Sequence, residues 1–209
     1  MKFSFTAFFL LCCQTVFCQW SVNIHGGYAS INMVNHATYT QPDHAYSVGL
    51  CGMYTFKHHI AAVAEVNYEL KGAQGSINYY NIVGDKVLSY NKQLQLHYVT
   101  VPVMARYSIG EKGIQAFVNA GMYYGYLAGA WVNPQTKGIS HDVTADFKRN
   151  DFGLASGLGM LFHFNNMYSI SLEWRNNYGL TNTGAQSTNQ YNRTNLFQLA
   201  VQYHIPDNK

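Results

Sequence analysis

The stretch DFGLASGLGMLFHF, residues 151–164, decides how this chain is read. Phe152, Leu154, Leu158, Met160, Phe162 and Phe164 fall on one parity, and Asp151, Gly153, Ala155, Gly157, Gly159 and His163 on the other. Successive side chains of a strand point to opposite faces, so this alternation marks a β-strand with one apolar and one small or polar face. The second face carries the information. A soluble barrel of the lipocalin kind turns its apolar side inward and needs Lys and Glu outside. Here the non-apolar face is mostly Gly and Ala, which suits the packed interior of a narrow barrel whose apolar side meets lipid.

The same alternation recurs along the chain. Trp20, Val22, Ile24 and Tyr28 oppose Ser21, Asn23, His25 and Gly27, and Tyr46, Val48, Leu50, Tyr54 and Phe56 oppose Ser47, Gly49, Cys51, Met53 and Thr55. Ala62, Ala64, Val66, Tyr68 and Leu70 oppose Val63, Glu65, Asn67, Glu69 and Lys71. The pattern continues through residues 95–107 and 114–130, the opening stretch, then Tyr168–Arg175 and Phe197–Ile205, which makes eight predicted strands. Short connections fall at 57–59, 108–113 and 165–166, and long polar ones near 33–44, 72–93, 131–148 and 181–193. An even strand count with short turns on one rim and long loops on the other predicts an all-β, eight-stranded antiparallel up-and-down transmembrane β-barrel. Trp20, Tyr54, Phe56, Tyr107, Tyr126, Trp131, Phe164, Tyr168, Tyr178 and Tyr203 lie near strand ends, where interfacial girdles form.

Composition agrees. Only 11% of the 209 residues are charged and 15% are aromatic, with 18 Gly against 4 Pro. A disordered chain has few aromatics and high net charge. The net charge of +3 is too small and scattered for a nucleic-acid surface. No run after residue 19 is apolar for the 18 or more residues of a membrane helix. At the start, Lys2 followed by the apolar run Phe3–Cys13 reads as a secretory signal peptide over residues 1–18, with cleavage expected between Cys18 and Gln19. A lipid attachment at Cys18 is disfavoured by the bulky Phe17. The expected barrel domain is then 19–209, and Cys51 is left as its single cysteine, so no disulfide or cysteine-based metal site is expected.

The segment His97–Tyr107, reading HYVTVPVMARY, resembles the Tyr-Leu-Glu-Ile-Pro strand of the porin-like outer-membrane β-barrel family common in Bacteroidota, with Thr100 where that family usually has Glu. Asn119-Ala120-Gly121, Asp151-Phe152-Gly153 with Gly157 and Gly159, Tyr178–Asn182 and the closing strand Asn195–Ile205 resemble its later signatures; a tail, Pro206–Lys209, follows that strand here. The resemblance implies an eight-stranded barrel in the outer membrane of a Gram-negative cell, and no shared enzymatic activity.

Charges on a lipid face cost about 2–4 kcal/mol at mid-depth for a basic residue, so Glu65, Arg106, Glu173 and Arg175 are expected to point inward and pair, as are Glu69 and Lys71. The lumen of eight strands is barely wide enough for side chains, so a salt-bridged plug is expected rather than an ion path. The nine histidines show no ligand spacing, and no metal or cofactor is expected. Ser156, Ser169, Ser171, His163 and Glu173 hold the residue types of a hydrolase, but no Gly-x-Ser-x-Gly elbow occurs. The second long connection is unusually apolar, with Tyr79, Tyr80, Ile82, Val83, Val87, Leu88 and Tyr90; it is either a hairpin continuing past the membrane or a docking surface. The expected function is a non-enzymatic barrel, contacting outer-membrane lipids and possible envelope proteins through its loops. An accessory subunit of a secretion or assembly complex, and a lipid-modifying hydrolase, stand as alternatives.

Overall fold

The computed structural model describes residues 19–34, 39, 41–57, 59–110, 113–134, 139–184 and 190–206. The expected signal peptide, residues 1–18, and the end of the tail, residues 207–209, lie outside the described residues. The barrel strands are β1 (Gln19–Val34), β2 (Asp43–Lys57), β3 (Ile60–Tyr80), β4 (Lys86–Gly110), β5 (Ile114–Pro134), β7 (Asn150–His163), β8 (Tyr168–Gly179) and β9 (Tyr191–His204). A two-residue strand, β6 (His141–Asp142), and a short 3-10 turn at Thr144–Asp146 lie inside the third long connection. Each barrel strand pairs antiparallel with its chain neighbour, β5 pairs with β7, and β1 pairs with β9. That last ladder, Ser21↔His204 through Val34↔Tyr191, closes the ring. The molecule is therefore an eight-stranded up-and-down transmembrane barrel, with β6 an ornament on β5.

Closure follows from the solvent. An open edge in hydrocarbon would leave backbone N–H and C=O groups unsatisfied, so a membrane sheet is stable only when it closes on itself. The polarity is inverted relative to a soluble barrel, as the alternation requires. Val22, Ile24, Leu50, Val66, Leu158, Leu172, Leu199 and Val201 are exposed on the outside, while Glu65, Asn67, Arg106, Asn119, Glu173 and Arg175 are buried within. Aromatic belts flank the apolar band. On the short-turn rim Trp20 packs on Tyr54 at 4.8 Å, Tyr54 on Phe56 at 4.9 Å and Tyr168 on Tyr203 at 5.4 Å between ring centroids. Toward the long-loop rim Tyr28 stacks on His44 at 5.4 Å, Tyr124 meets Phe152 at 4.9 Å, and His97 meets Trp131 edge-on at 4.6 Å. From Trp20 to Tyr28 the strand covers roughly 26 Å, or about 20 Å of membrane depth at a tilt near 40°.

Two local expectations are corrected. The connection expected over 72–93 is mostly strand: β3 and β4 stay paired out to Tyr80↔Lys86, leaving a turn at Asn81–Asp85. Leu70, expected on the lipid face, is buried with Ala29, Ile31, Ala45 and Leu196. The break in alternation coincides with the end of the β2–β3 ladder at Ser47↔Glu69 and with Gly72, whose φ of +134° only glycine tolerates readily.

Purified protein should show β-rich circular dichroism in detergent and heat-modifiable gel mobility; folding in detergent-free buffer would contradict the inverted polarity. Leu50 lies at mid-band and is 63% exposed. Leu50→Arg is expected to lower stability by about 2–4 kcal/mol in a urea titration on lipid vesicles.

Candidate functional site

Eight strands spaced about 4.8 Å apart and tilted about 40° enclose a backbone diameter of about 16 Å. Side chains from opposite walls therefore meet. β3 and β8 stand four steps apart around the ring in either direction, so they face each other across its full width. From β3, Glu65 reaches Arg175 of β8 in a bidentate pair, with Nη1 donating to Oε2 at 2.5 Å and Nη2 to Oε1 at 2.8 Å. The same guanidinium donates to Glu173 through Nε at 2.9 Å and Nη2 at 3.0 Å. Arg106 of β4 donates through Nε to Asn119 Oδ1 at 2.9 Å, and Asn119 Nδ2 donates to Glu173 Oε1 at 2.9 Å. Its guanidinium lies 3.8 Å from Glu173 and 3.9 Å over the Phe117 ring.

Of the six charged residues expected inside, Glu65, Arg106, Glu173 and Arg175 are thus buried and joined in one layer. Asn67 extends it, donating to Glu65 at 3.0 Å, with His25 Nε2 2.8 Å from Asn67 Oδ1. Glycines make the room. A Cβ at Gly157 would sit 2.2 Å from Glu173 Oε1, and one at Gly49 would sit 2.0 Å from Asn67 Oδ1. Both glycines occupy the inward parity read from the sequence.

A second layer lies nearer the long loops. Lys71 Nζ donates to Asp151 Oδ2 at 3.0 Å and sits 4.1 Å from the Tyr123 ring centroid and 5.0 Å from that of Tyr98. Tyr123 OH and Asn192 Nδ2 donate to the same carboxylate oxygen at 3.2 and 3.0 Å. Above it Met33, Ala73, Leu94, Leu96, Tyr98, Leu127 and Ala130 form an apolar stopper. The Lys71–Asp151 pair is what sequence reasoning missed. Lys71 was legible on the inward parity of β3, but its partner is 80 residues away.

The remaining candidates are dispersed. Ser169, 0% exposed, has its Oγ 2.8 Å from both His163 Nδ1 and His204 Nε2 at the short-turn rim. Glu173 is committed to arginines, and Ser156 is on the exposed face, so the hydrolase set is not assembled. His97 pairs with Tyr68 on the outer surface, and His59 Nδ1 lies 2.9 Å from the Ser108 carbonyl. Among the described residues no three His, Cys, Asp or Glu side chains are grouped to hold a metal. Beyond the membrane, hydrogen bonds from Thr144 hold the exposed Asp142 carboxyl below its usual range. Of the second-loop residues, Tyr79 and Tyr80 end β3, Leu88 and Tyr90 begin β4, and Ile82 is fully exposed in the turn.

Residues 17–184 match the family model described as the outer membrane protein beta-barrel domain. The fold is similar to that of Neisserial surface protein A, at 12% identity and a TM-score of 0.56, over 88% of this chain and 96% of that one. It is also similar to a major outer membrane protein from Thermus thermophilus, at 10% identity and a TM-score of 0.55, over 90% of this chain and 100% of that one. At such identities the likeness shows the fold alone. No curated protein matches the chain in sequence.

Arg175 answers two carboxylates, so Arg175→Ala should destabilise the barrel by about 3–5 kcal/mol in vesicle-based urea titrations. The double change Glu65→Gln, Arg175→Met should recover most of that loss, because Glu173 then keeps Arg106 as its partner and no charge of the layer is left alone. Equal losses in both variants would mean that packing, not charge pairing, sets the effect.

Proposed function

This chain belongs to the outer membrane protein beta-barrel domain family, and from that premise we propose that it is a non-enzymatic outer-membrane barrel with a closed lumen that meets a partner protein through its β3–β4 hairpin. The protein resides in the outer membrane, where lipids cover its apolar band. The closed-lumen part rests on the two transverse charge layers and the apolar stopper, which fill the cross-section at three levels. A buried charge is tolerated when paired and hydrogen-bonded, and such pairs hold opposite walls together without serving transport.

The observation that carries the interaction reading is the hairpin. β2 leaves β3 at Glu69, apart from a single bridge at Gln41↔Gln74, and β5 pairs with β4 only from Lys92↔Pro134 inward. The β3–β4 ladder runs on to Tyr80↔Lys86, so a two-stranded ribbon projects about 17 Å beyond its neighbours. Among the described residues both of its outer edges are unpaired. Its turn is organised, with Asn81 Oδ1 accepting from the Val83 and Asp85 N–H groups at 3.0 and 2.8 Å. That turn holds Ile82 and Val83 out in solvent, with Val87 exposed on the following strand. An isolated two-stranded ribbon is marginally stable in water, and exposed apolar side chains beside free edges suit strand addition or packing against a partner. The accessory-subunit reading uses the same ribbon and differs only in how permanent the association is.

Planar-bilayer recordings should show no stable large conductance. A steady ion-selective current abolished by Glu65→Gln or Arg106→Gln would replace the closed lumen with transport. Mild-detergent purification from the native envelope should bring down a partner, and Ile82→Ser with Val83→Ser should release it while heat-modifiability persists. Wild-type protein that elutes alone, and a cell unaffected by the double change, would remove the docking reading.

A further inference from the structure

Among the described residues the interior holds five buried carboxylates, Asp43, Glu65, Glu69, Asp151 and Glu173, against three buried Lys or Arg side chains, Lys71, Arg106 and Arg175. Four of the five are compensated. Glu65 and Glu173 share Arg175, Asp151 has Lys71, and Asp43 accepts from the amides of Gln74 and Gln93 at 2.5 Å each. Glu69 is different. It is 1% exposed, its Oε1 lies 3.5 Å from Asn177 Nδ2, and its Oε2 has no hydrogen-bond partner. Lys71 lies two residues along the same face and its charge is felt by Glu69, but its hydrogen bond goes to Asp151 and its ring contact to Tyr123, so one ammonium serves two carboxylates. An ionised carboxylate in that position needs a positive charge.

The groups around Glu69 are oxygens in the same condition. Ser47 is its direct cross-strand partner on β2, and Ser47 Oγ is buried without a partner. From the facing wall Asn177 turns its Nδ2 toward Glu69, while its Oδ1 has no partner. Thr194 of β9 is the cross-strand partner of Asn177, and its Oγ1 is likewise unpartnered. Directly opposed residues place their Cβ atoms about 5 Å apart, so the four side chains form two facing pairs across the lumen.

We propose that this lumen site binds one alkali cation, sodium being the type ion, between Glu69, Ser47, Asn177 and Thr194. With the Asn177 amide turned so that Oδ1, not Nδ2, faces the ion, the donor set is all oxygen, with neither thiolate nor imidazole, which selects hard cations over zinc or copper. One carboxylate with three neutral oxygens balances a single positive charge. Calcium calls for six to eight oxygens and more anionic donors. The ion sits between the Arg175 layer and the apolar stopper, so it enters as the barrel closes. This goes beyond the closed-lumen and hairpin readings and stands or falls apart from conductance or partner capture.

The test unfolds and refolds the purified barrel in vesicles, in sodium chloride and in N-methyl-D-glucamine chloride at equal ionic strength. The wild-type unfolding constant should be roughly tenfold smaller in sodium, the shift expected when a ligand at about ten times its dissociation constant binds only the folded state. Glu69→Gln, neutral and of the same shape, should be insensitive to the cation. Equal wild-type stability in both salts, or sensitivity kept in Glu69→Gln, overturns the proposal. Should that variant not refold, wild-type crystals soaked in thallium acetate decide it. An anomalous peak beside the Glu69 carboxylate supports the site, and density there without anomalous signal, as a water would give, overturns it.

Discussion

Hydrocarbon offers no hydrogen bonds to a backbone, and an N–H or C=O left unpaired in it costs several kcal/mol. Everything else in this structure depends on that constraint. It requires the β1–β9 ladder, because without it β1 and β9 would each expose an edge to lipid. Closure at eight strands then fixes a narrow ring, and the narrow ring dictates what the inward parity can hold. Small residues occur where a larger side chain crosses, as at Gly157 beneath Glu173 and Gly49 beside Asn67. Long charged side chains occur where a partner from the far wall meets them.

The lumen is therefore best understood as stacked layers, each solving burial differently. The Arg175 layer uses bidentate and shared carboxylate pairing. The Lys71 layer adds tyrosine rings and hydroxyls around a single ion pair. The stopper above removes polar groups altogether. Pairing at long sequence separation, 110 residues for Glu65 and Arg175, ties opposite walls to each other.

Outside the membrane the constraint relaxes, and the architecture changes with it. Once water can satisfy the edges, the β3–β4 ladder no longer needs neighbours and, among the described residues, runs on beyond them. A filled barrel within the membrane and a two-stranded ribbon beyond it are the two results.

Period two in the sequence determined most of the anchor. The parity of Phe152–Phe164 and its counterparts assigned inside and outside, because a strand has only two faces and lipid accepts only one kind of side chain. The inward placement of Glu65, Arg106, Glu173 and Arg175 followed from the cost of a charge in lipid. Pairing did not follow. That Arg175 bridges Glu65 and Glu173, that Lys71 finds Asp151, and that Glu69 makes no salt bridge among the described residues depend on which strands face each other after closure. Alternation did not decide between a hairpin continuing past the membrane and a docking loop, since a ladder whose edges water can satisfy needs no polarity pattern; the structure carries β3 and β4 on to Tyr80 and Lys86. Local sequence determined facing, because facing is a property of one strand; tertiary structure alone decided partnership, because opposition across the lumen is a property of the closed ring.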